Sequence, residues 1–310
     1  MDNLLRQFIA IAETGSITAA ASVLHVTQPT LTVNMRKLEE SLKVALFSRS
    51  SRGVRLTPYG EVLYENACLM QRLNDNMLRA VEDLRVNTEQ GLSIGSGYSW
   101  WAVFVRDLVL EYQRNNANAP VQVSLGDQLR CLDQLLAGDI SLFVSHEIKG
   151  LGTGTGTQFI RISQVYNAVF VRAGHPLLGA PRQDAEIDAY PVVTSLLPES
   201  RQQRFFDDSW RRLHGAAPFE RERYAFGSNS LSACIDYVQS TDALLRYSHV
   251  IGPHFARQGL AEVTHAVPPQ MMPMGLYVLV ERRGDERLEA LLELMIAAAQ
   301  RALPPLDPRI

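Results

Sequence analysis

The hydrophobic positions of the first sixty residues recur at helical spacing and divide this segment into three short helices. Apolar residues lie three and four positions apart in the first helix, and Gly15 stands where that helix would end. Ser16 is a favourable N-cap for a second helix. Thr27 can cap a third helix that has Pro29 in its first turn, where a missing N–H is harmless. The apolar stripe of the third helix consists of Leu31, Met35, Leu38 and Leu42.

The second and third helices are joined by a tight turn at His25 and Val26, which is typical of a helix-turn-helix. A recognition helix buries one side against its neighbours and places its N-terminal residues in the major groove. Gln28 and Thr32 suit that position, because their side chains offer donors and acceptors to bases and phosphate. A small three-helix core without a DNA-binding role would have the same pattern, so both interpretations stay open on pattern alone.

Residues 46–60, LFSRSSRGVRLTPYG, have few apolar positions, and arginines stand at every third position from 49 to 55. This pattern predicts a short β-hairpin, or wing. An arginine at its tip would enter the minor groove or hold a phosphate.

A long helix is predicted for residues 61–90. Apolar residues seven positions apart give it a heptad seam, which Asn66 interrupts. The seam predicts a dimerising coiled-coil linker, and two-fold pairing would place two recognition helices ~34 Å apart. A long helix packed on its own domain is the alternative. The seam residues are Leu63, Met70, Leu73, Met77, Ala80 and Leu84.

Strand and helix patterns alternate from residue 91 onward and predict two small α/β lobes. Lobe I is expected at about 91–162 and 266–310, and lobe II at about 163–265. The predicted strands are LSIG, VQVSL, ISLFVS, YNAVFV, PVVTS, RYAFG and GLYVLVE. Helices are predicted between them, around Phe205 to Leu213 and from Leu231 to Gln239, and at the end from Arg287 to Ala302.

Two such lobes bind a ligand between them, at the carboxyl ends of their strands. Small hydroxyls and helix N-termini at those ends suit a carboxylate or another anion, and a tryptophan would offer an apolar wall. Many of these residues would equally serve as N-caps, and a structural role is also open for the histidine among them and for Arg246. The candidate effector-binding residues are Tyr98, Ser99, Trp100, Gln128, Ser145, His146, Thr194, Ser195, Ser228 and Asn229.

Composition and charge narrow the class of protein. The 310 residues are 46% hydrophobic and 20% charged, which is typical of a soluble chain with two or three domains. Residues 1–60 carry a net charge of +3 although the whole chain carries −3, which favours a polyanionic partner for this basic head. A solvated charged face is the alternative. The sequence has no membrane-spanning run and no signal pattern, so a cytoplasmic protein is expected.

The remaining motifs exclude several functions. Cys68, Cys131 and Cys234 form no metal-ligand pattern, and the last two are predicted to be buried core residues, with a redox role left open. The glycine-rich stretch 150–158 lacks GxGxxG and is interpreted as a flexible loop. The sequence contains no GxSxG, HExxH or Walker motif, so we expect no catalytic residues, no metal and no cofactor.

Several motifs of the first sixty residues occur together in one order. They are GS-x-x-x-AA from Gly15, TQP from Thr27, LEE from Leu38, LF-x-R from Leu46 and LTP-x-G from Leu56. With them, the segment resembles the N-terminal signature of LysR-type transcriptional regulators. The remainder is similar more loosely, through GLSIG, LLAGDISLFV, GHPL and GLYVLVERRG.

The resemblance implies an N-terminal all-α winged helix-turn-helix domain (1–60), a linker helix (61–90) and an α/β two-lobed, periplasmic-binding-protein-like effector domain (91–310). The implied partners are double-stranded DNA, a small-molecule effector and further copies of the chain, as a homodimer or homotetramer. The DNA-binding residues implied by the resemblance and by the pattern are Ser16, Thr18, Thr27, Gln28, Pro29, Thr30, Thr32, Arg36, Arg49 and Arg52.

The chain departs from the family pattern at four places. Val33 replaces a frequent arginine, and Lys43 replaces a glycine. Residues 241–249, TDALLRYSH, replace a glycine-rich run, and Ser141 replaces an aspartate.

From the patterns and the resemblance together, we expect a sequence-specific DNA-binding regulator tuned by a small organic anion. The alternatives are a small-molecule enzyme or a solute-binding module with an appended helical head.

Overall fold

A computed structural model describes residues 3–50, 53–86, 91–117, 119–195, 200–214 and 224–304. The chain divides into two compact units. The first comprises Met1–Asn87 with Thr153–Gly156, and the second comprises Thr88–Gly152 and Thr157–Ile310.

The first unit is a winged helix-turn-helix followed by a long helix. The sequence predicts the helix starts correctly, because the Ser16 and Thr27 side chains accept hydrogen bonds from the backbone N–H groups of Ala19 and Thr30. The elements are α1 (Asn3–Thr14), α2 (Ile17–Val23), α3 (Gln28–Leu42), β1 (Phe47–Ser50), β2 (Gly53–Leu56) and α4 (Pro58–Val86).

Apolar faces of the short helices form the core of the first unit. Phe8, Ile11, Leu31 and Met35 are at most 1% exposed, so α1 and α3 bury the stripes that their spacing predicts. Two turns of this unit hold non-glycine residues in the left-handed region. His25 lies there between α2 and α3, and Lys43 lies there at the C-cap of α3, where helices commonly have glycine.

Lobe I of the second unit contains a five-stranded sheet of β3 (Leu92–Ser96), β4 (Val121–Leu125), β5 (Leu142–His146), β6 (Thr157–Val165) and β12 (Met272–Leu279). The strand order is β4-β3-β5-β12-β6. Strand β3 pairs in parallel with β4 and β5, whereas β12 is antiparallel to β5 and β6. The helices are α5 (Tyr98–Trp100), a π-helical turn (Trp101–Val105), α6 (Arg106–Asn115), α7 (Gln128–Ala137) and α12 (Glu286–Ala302), with a 3₁₀ turn at Val280–Arg282. A further 3₁₀ turn at Thr153–Thr155 belongs to the first unit.

Lobe II contains a second five-stranded sheet of β7 (Asn167–Arg172), β8 (Val192–Thr194), β9 (Phe226–Gly227), β10 (Leu244–Ser248) and β11 (Leu260–Glu262). The strand order is β11-β7-β10-β8-β9. Tyr166 alone separates β6 of lobe I from β7 of lobe II, so the chain crosses between the sheets in one residue. The helices are α8 (Asp184–Ile187), α9 (Asp208–His214), α10 (Leu231–Gln239) and α11 (Gly252–Ala256), with 3₁₀ turns at Ser200–Phe205 and His249–Ile251.

The prediction of a helix around Phe205 to Leu213 is wrong in its first turn. A 3₁₀ turn ends at Phe205, and α9 begins only at Asp208. The backbone here is bonded to residues 150–152 and not to a helical turn: the Phe205 carbonyl oxygen accepts the N–H of Gly152, and the N–H of Asp207 donates to the carbonyl oxygen of Gly150, both at 2.9 Å. The Asp207 carboxylate then accepts the N–H of Trp210 and caps α9. Of the predicted strand RYAFG, only the last two residues form a strand, which is β9. The last two residues of the predicted loop 150–158 already belong to β6.

Candidate functional site

Helix α3 of the first unit presents a polar face opposite its buried stripe. Gln28, Pro29, Thr30 and Arg36 are exposed, and Thr32 is half-buried at the flank of this face. The Thr27 and Thr30 hydroxyls lie 2.8 Å apart and share a hydrogen bond. The first turn of the helix is therefore held by its own side chains while its outer surface stays accessible.

The β1–β2 hairpin and the residue before it are hydrogen-bonded to the helical part of the first unit. Val54 donates its N–H to the carbonyl oxygen of Gly15 at 2.9 Å, and the N–H of Leu46 donates to Glu39 Oε1 of α3 at 2.7 Å. Arg49 lies in β1 in register with Val54. Of the predicted DNA-binding residues, Arg52 lies outside the described residues.

The predicted DNA-binding residues Ser16 and Thr18 lie at the start of α2. Ser16 is half-buried, and its hydroxyl oxygen accepts the N–H of Ala19 at 3.3 Å. Thr18 is exposed in the first turn of α2. Both residues therefore lie at a helix N-terminus, where backbone N–H groups favour an anion such as phosphate.

Helix α4 carries exposed apolar residues along its predicted seam. Met70 is 52% and Met77 is 57% exposed, an uncommon exposure for large apolar side chains at heptad positions. Leu63 contributes to the core of the first unit instead. The side chains of Leu73, Ala80 and Leu84 lie outside the described part of the helix.

In the second unit, a cleft of about 620 Å³ lies between the two lobes. The carboxyl ends of β3, β4, β5, β8 and β10 meet there, which is the placement that the strand-end rule predicts. Eight of the ten candidate effector residues line it: Tyr98, Ser99, Trp100, Gln128, Ser145, His146, Thr194 and Ser195.

Ser228 and Asn229 do not line this cleft. The Ser228 hydroxyl oxygen instead accepts the N–H of Ser230 at the start of α10. Asn229 contributes its carbonyl oxygen, which accepts the Tyr98 hydroxyl at 2.9 Å. This bond joins lobe I to lobe II beside the cleft.

Lobe I forms its side of the cleft from capped helix starts and a buried tryptophan. Trp100 is 3% exposed, and its ring meets that of His146 edge-on at 5.2 Å. Ser145 donates to Gln128 Oε1 at 3.3 Å. The Asp127 carboxylate accepts the N–H groups of Leu129 and Arg130, both at 2.8 Å. These N–H groups of α7 are thus already satisfied by the chain's own anion.

Lobe II forms its side from buried hydroxyls and one guanidinium. The hydroxyls of Ser195 and Tyr247 are hydrogen-bonded to each other, and burial raises the Tyr247 pKa above its ordinary value. Arg246 donates to Asp188 Oδ1 at 2.6 Å and also lines the cleft. Arg246 can therefore form its structural ion pair with Asp188 and still face a molecule bound in the cleft.

His146 is an uncharged residue of the cleft. Burial, and secondly the proximity of His249, lower its pKa from 6.5 to about 4. Its Nδ1 atom is buried and has no hydrogen-bond partner among the residues that the structure describes. A hydrogen-bonded structural role therefore does not account for this nitrogen atom, and His146 is a neutral donor or acceptor at neutral pH.

The cysteines of the second unit are buried, as predicted. Burial raises the pKa of Cys131 to about 12 and also raises that of Cys234. The two residues belong to separate hydrophobic clusters, one in each lobe. Both thiols stay protonated and unreactive near neutral pH.

Two sequence models of one bacterial family match the two units. The model of the bacterial regulatory helix-turn-helix protein, lysR family, matches residues 3–61, and that of the LysR substrate binding domain matches residues 87–300. The chain belongs to the LysR family. The predicted winged helix-turn-helix, linker helix and two-lobed α/β domain are confirmed as the architecture of this LysR-family chain.

Curated relatives of this LysR-family chain are transcriptional regulators. PcaQ of Agrobacterium fabrum is 28% identical over 61% of this chain and 61% of its own length, so the alignment spans about three fifths of that relative. DgdR of Burkholderia cepacia is 28% identical over 93% of this chain and 90% of its own length. Full-length OxyR from Pseudomonas aeruginosa has the same fold, with a TM-score of 0.50 and 19% identity over 98% of each chain.

The described residues contain neither a membrane-spanning helix nor a cluster of metal-ligating side chains. None of their helices combines the length and apolar character needed to cross a membrane. Nor do the described residues place three metal-ligating side chains together.

Part of the cleft of this LysR-family protein was not predicted from the sequence. Tyr247 and Ser248 end β10, which is parallel to β8, so the strand-end rule already contained the signal for them. Of residues 241–249, the sequence singles out only Arg246 at the effector site. Phe206 and Trp210 also line the cleft, stacked at 3.8 Å, and strand patterning gave no signal for them.

The buried His146 gives the chain an expected pH dependence. The unfolded chain takes up a proton near pH 6.5 and the native imidazole only near pH 4, so stability is lost as pH falls through this window. His249 has its pKa lowered too and acts in the same direction. Urea unfolding of wild type between pH 7 and pH 4 should show this loss, and His146→Asn should reduce it by about 3 kcal/mol. Parallel curves for the two proteins would contradict this assignment.

Proposed function

We propose that this chain is a sequence-specific DNA-binding transcriptional regulator whose activity is set by a small molecule in the cleft. The observation that carries the proposal is the presence of two family-matched units in one chain. The first has an exposed recognition-helix face beside a wing, and the second has a two-lobed cleft lined with polar side chains. Relatives that bear the name of transcriptional regulators support the same conclusion.

The proposed DNA contacts are the ten residues already named, from Ser16 to Arg52. Those at the start of α3 face the major groove, whereas those of the wing and of α2 hold phosphate. The net charge of +3 in residues 1–60 supports a polyanionic partner. We propose that the protein acts in the cytoplasm, because that is where bacterial DNA lies.

The proposed effector is a small organic anion with an apolar portion. Arg246 and Lys149 line the cleft and supply positive charge, Ser99 and Ser145 supply hydroxyls, and Trp100 supplies an apolar wall. The N–H groups of α7 that Asp127 already occupies contribute nothing to anion binding. An enzymatic role has less support, since it would require a nucleophile and a base in reach of each other.

The proposed assembly is a homodimer joined along α4, with a homotetramer as the family resemblance suggests. The exposed Met70 and Met77 support pairing of two α4 helices. A coiled coil buries such residues at heptad positions against the partner helix.

The first test of the proposed function is DNA binding. The full chain is titrated against DNA from immediately upstream of its own gene and against a shuffled duplex, at 50 mM and 200 mM salt. Tighter binding to the native fragment, with a steep fall in affinity at higher salt, is expected. Equal and weak binding to both duplexes at both salt concentrations would contradict the proposal.

Three substitutions separate base contacts from phosphate contacts. Gln28→Ala and Thr32→Ala should weaken binding to the specific duplex about tenfold and leave binding to the shuffled duplex nearly unchanged. Arg52→Ala should weaken binding to both duplexes and reduce the salt slope by about 1 for each phosphate that the side chain neutralises. If all three variants lose equal affinity for both duplexes, this division of roles is wrong.

A further inference from the structure

Val33 lies at the centre of the exposed face of α3. Helical residues are ~100° apart, so Val33 points about 160° away from the buried Leu31 and Met35. It is 52% exposed and lies outside the core of the first unit. Pro29 and Lys37, one turn before and one turn after it, are exposed on the same face.

Two polar neighbours of Val33 form hydrogen bonds along α3 itself. The hydroxyl of Thr30 shares its hydrogen bond with Thr27, and Arg36 Nε donates to Glu40 Oε1 at 2.8 Å. Between these two residues, Val33 projects a branched apolar group from the recognition face. A valine in a helix has one strongly preferred χ1 rotamer, so its methyl groups are held in place before any partner binds.

We infer that Val33 contacts the 5-methyl group of a thymine in the major groove and selects an A·T pair at that position. The inference rests on the proposed DNA-binding function. Among the base edges in the major groove, the thymine methyl group is the apolar one, and it pairs with small apolar side chains. The basic residues Arg36 and Lys37 on the same face favour a nucleic acid over an apolar protein surface as the occupant.

The test removes the methyl group from the DNA and the methyl groups from the protein. A duplex selected by the wild-type chain from a randomised library is resynthesised with deoxyuridine at each thymine in turn, which deletes only the methyl group. Its affinity is measured for wild type, for Val33→Ala and for Val23→Ala. Val23 is the matched control, a 64% exposed valine at the end of α2. Both valines are exposed and alanine favours helices, so the variants keep the fold.

At one thymine of each half-site, wild type and Val23→Ala should lose about fourfold in affinity on replacement by deoxyuridine. Val33→Ala lacks the contact in both protomers of the proposed dimer, so it should bind the thymine duplex about fourfold more weakly for each half-site, or about 16-fold in total, and lose nothing further at that position. The inference is overturned if wild type tolerates deoxyuridine at every position, or if Val33→Ala keeps the same loss. Unchanged DNA binding by Val33→Ala would assign the valine to a protein partner instead. Selection of no sequence at all would refute the proposed function, and the inference with it.

Discussion

Glutamate at both Met70 and Met77 is expected to weaken binding to the specific DNA site at least about 100-fold. The two methionines lie seven residues apart on α4 and are 52% and 57% exposed. In a paired helix they would be buried against the partner, and two carboxylates at facing positions would repel each other in a desolvated seam. Because each monomer then reads one half-site alone, the gain in affinity from linking two heads is lost.

The control for this prediction keeps the seam apolar. Met70→Leu with Met77→Leu preserves both size and helix propensity, so it should stay dimeric and bind DNA as wild type does. Sedimentation velocity measures the assembly, and titration with the specific duplex measures affinity. A glutamate variant that remains dimeric and binds at full affinity would show that α4 does not form the interface.

Alanine at Gly275 is expected to destabilise the second unit by about 3 kcal/mol or more. Gly275 lies in β12 at a break in its register with β6, and an added Cβ would overlap the carbonyl oxygen of Ile160. That atom belongs to the backbone of β6, so the sheet itself must shift. Gly275 is also in register with Ser145 of the cleft, so a protein that still folds should lose effector affinity as well.

The matched control is Gly252→Ala, at the start of α11. A Cβ added there would meet Glu262 and Phe170 at 3.7 Å, which is ordinary van der Waals contact. This variant should unfold at the wild-type temperature or slightly above it. Thermal unfolding of the full chain followed by circular dichroism compares the three proteins. Equal melting temperatures for wild type and Gly275→Ala would refute the close approach of β12 to β6.

The fold of the first unit was predictable because local signals determine it. Caps at Ser16 and Thr27 place the starts of α2 and α3 within a residue, and the periodic apolar residues identify the buried faces. What spacing could not give is the exposure of Val33. Its place opposite the core follows from the rotation of α3, but its accessibility depends on what packs around that helix.

The part of the cleft that lies at the carboxyl ends of strands was predictable from the sequence. Trp100, Ser145 and Ser195 follow directly from the order of strands and helices. Phe206 lies between a 3₁₀ turn and α9, and Trp210 lies in α9 itself, so no strand end marks either residue. The neutral state of His146 could not be predicted from the sequence either. It depends on the burial of the imidazole and on the proximity of His249, which belongs to the other lobe.

Sequence-specific DNA binding is tested most directly by selection from the whole genome that encodes this chain. Purified full-length protein is mixed with sheared genomic DNA, and the bound fragments are sequenced at low and at high salt. We expect a small set of enriched fragments that share an interrupted dyad, with half-site centres about 10 base pairs or a multiple of that apart. Uniform recovery of the genome at both salt concentrations would contradict sequence-specific binding and with it the regulatory function.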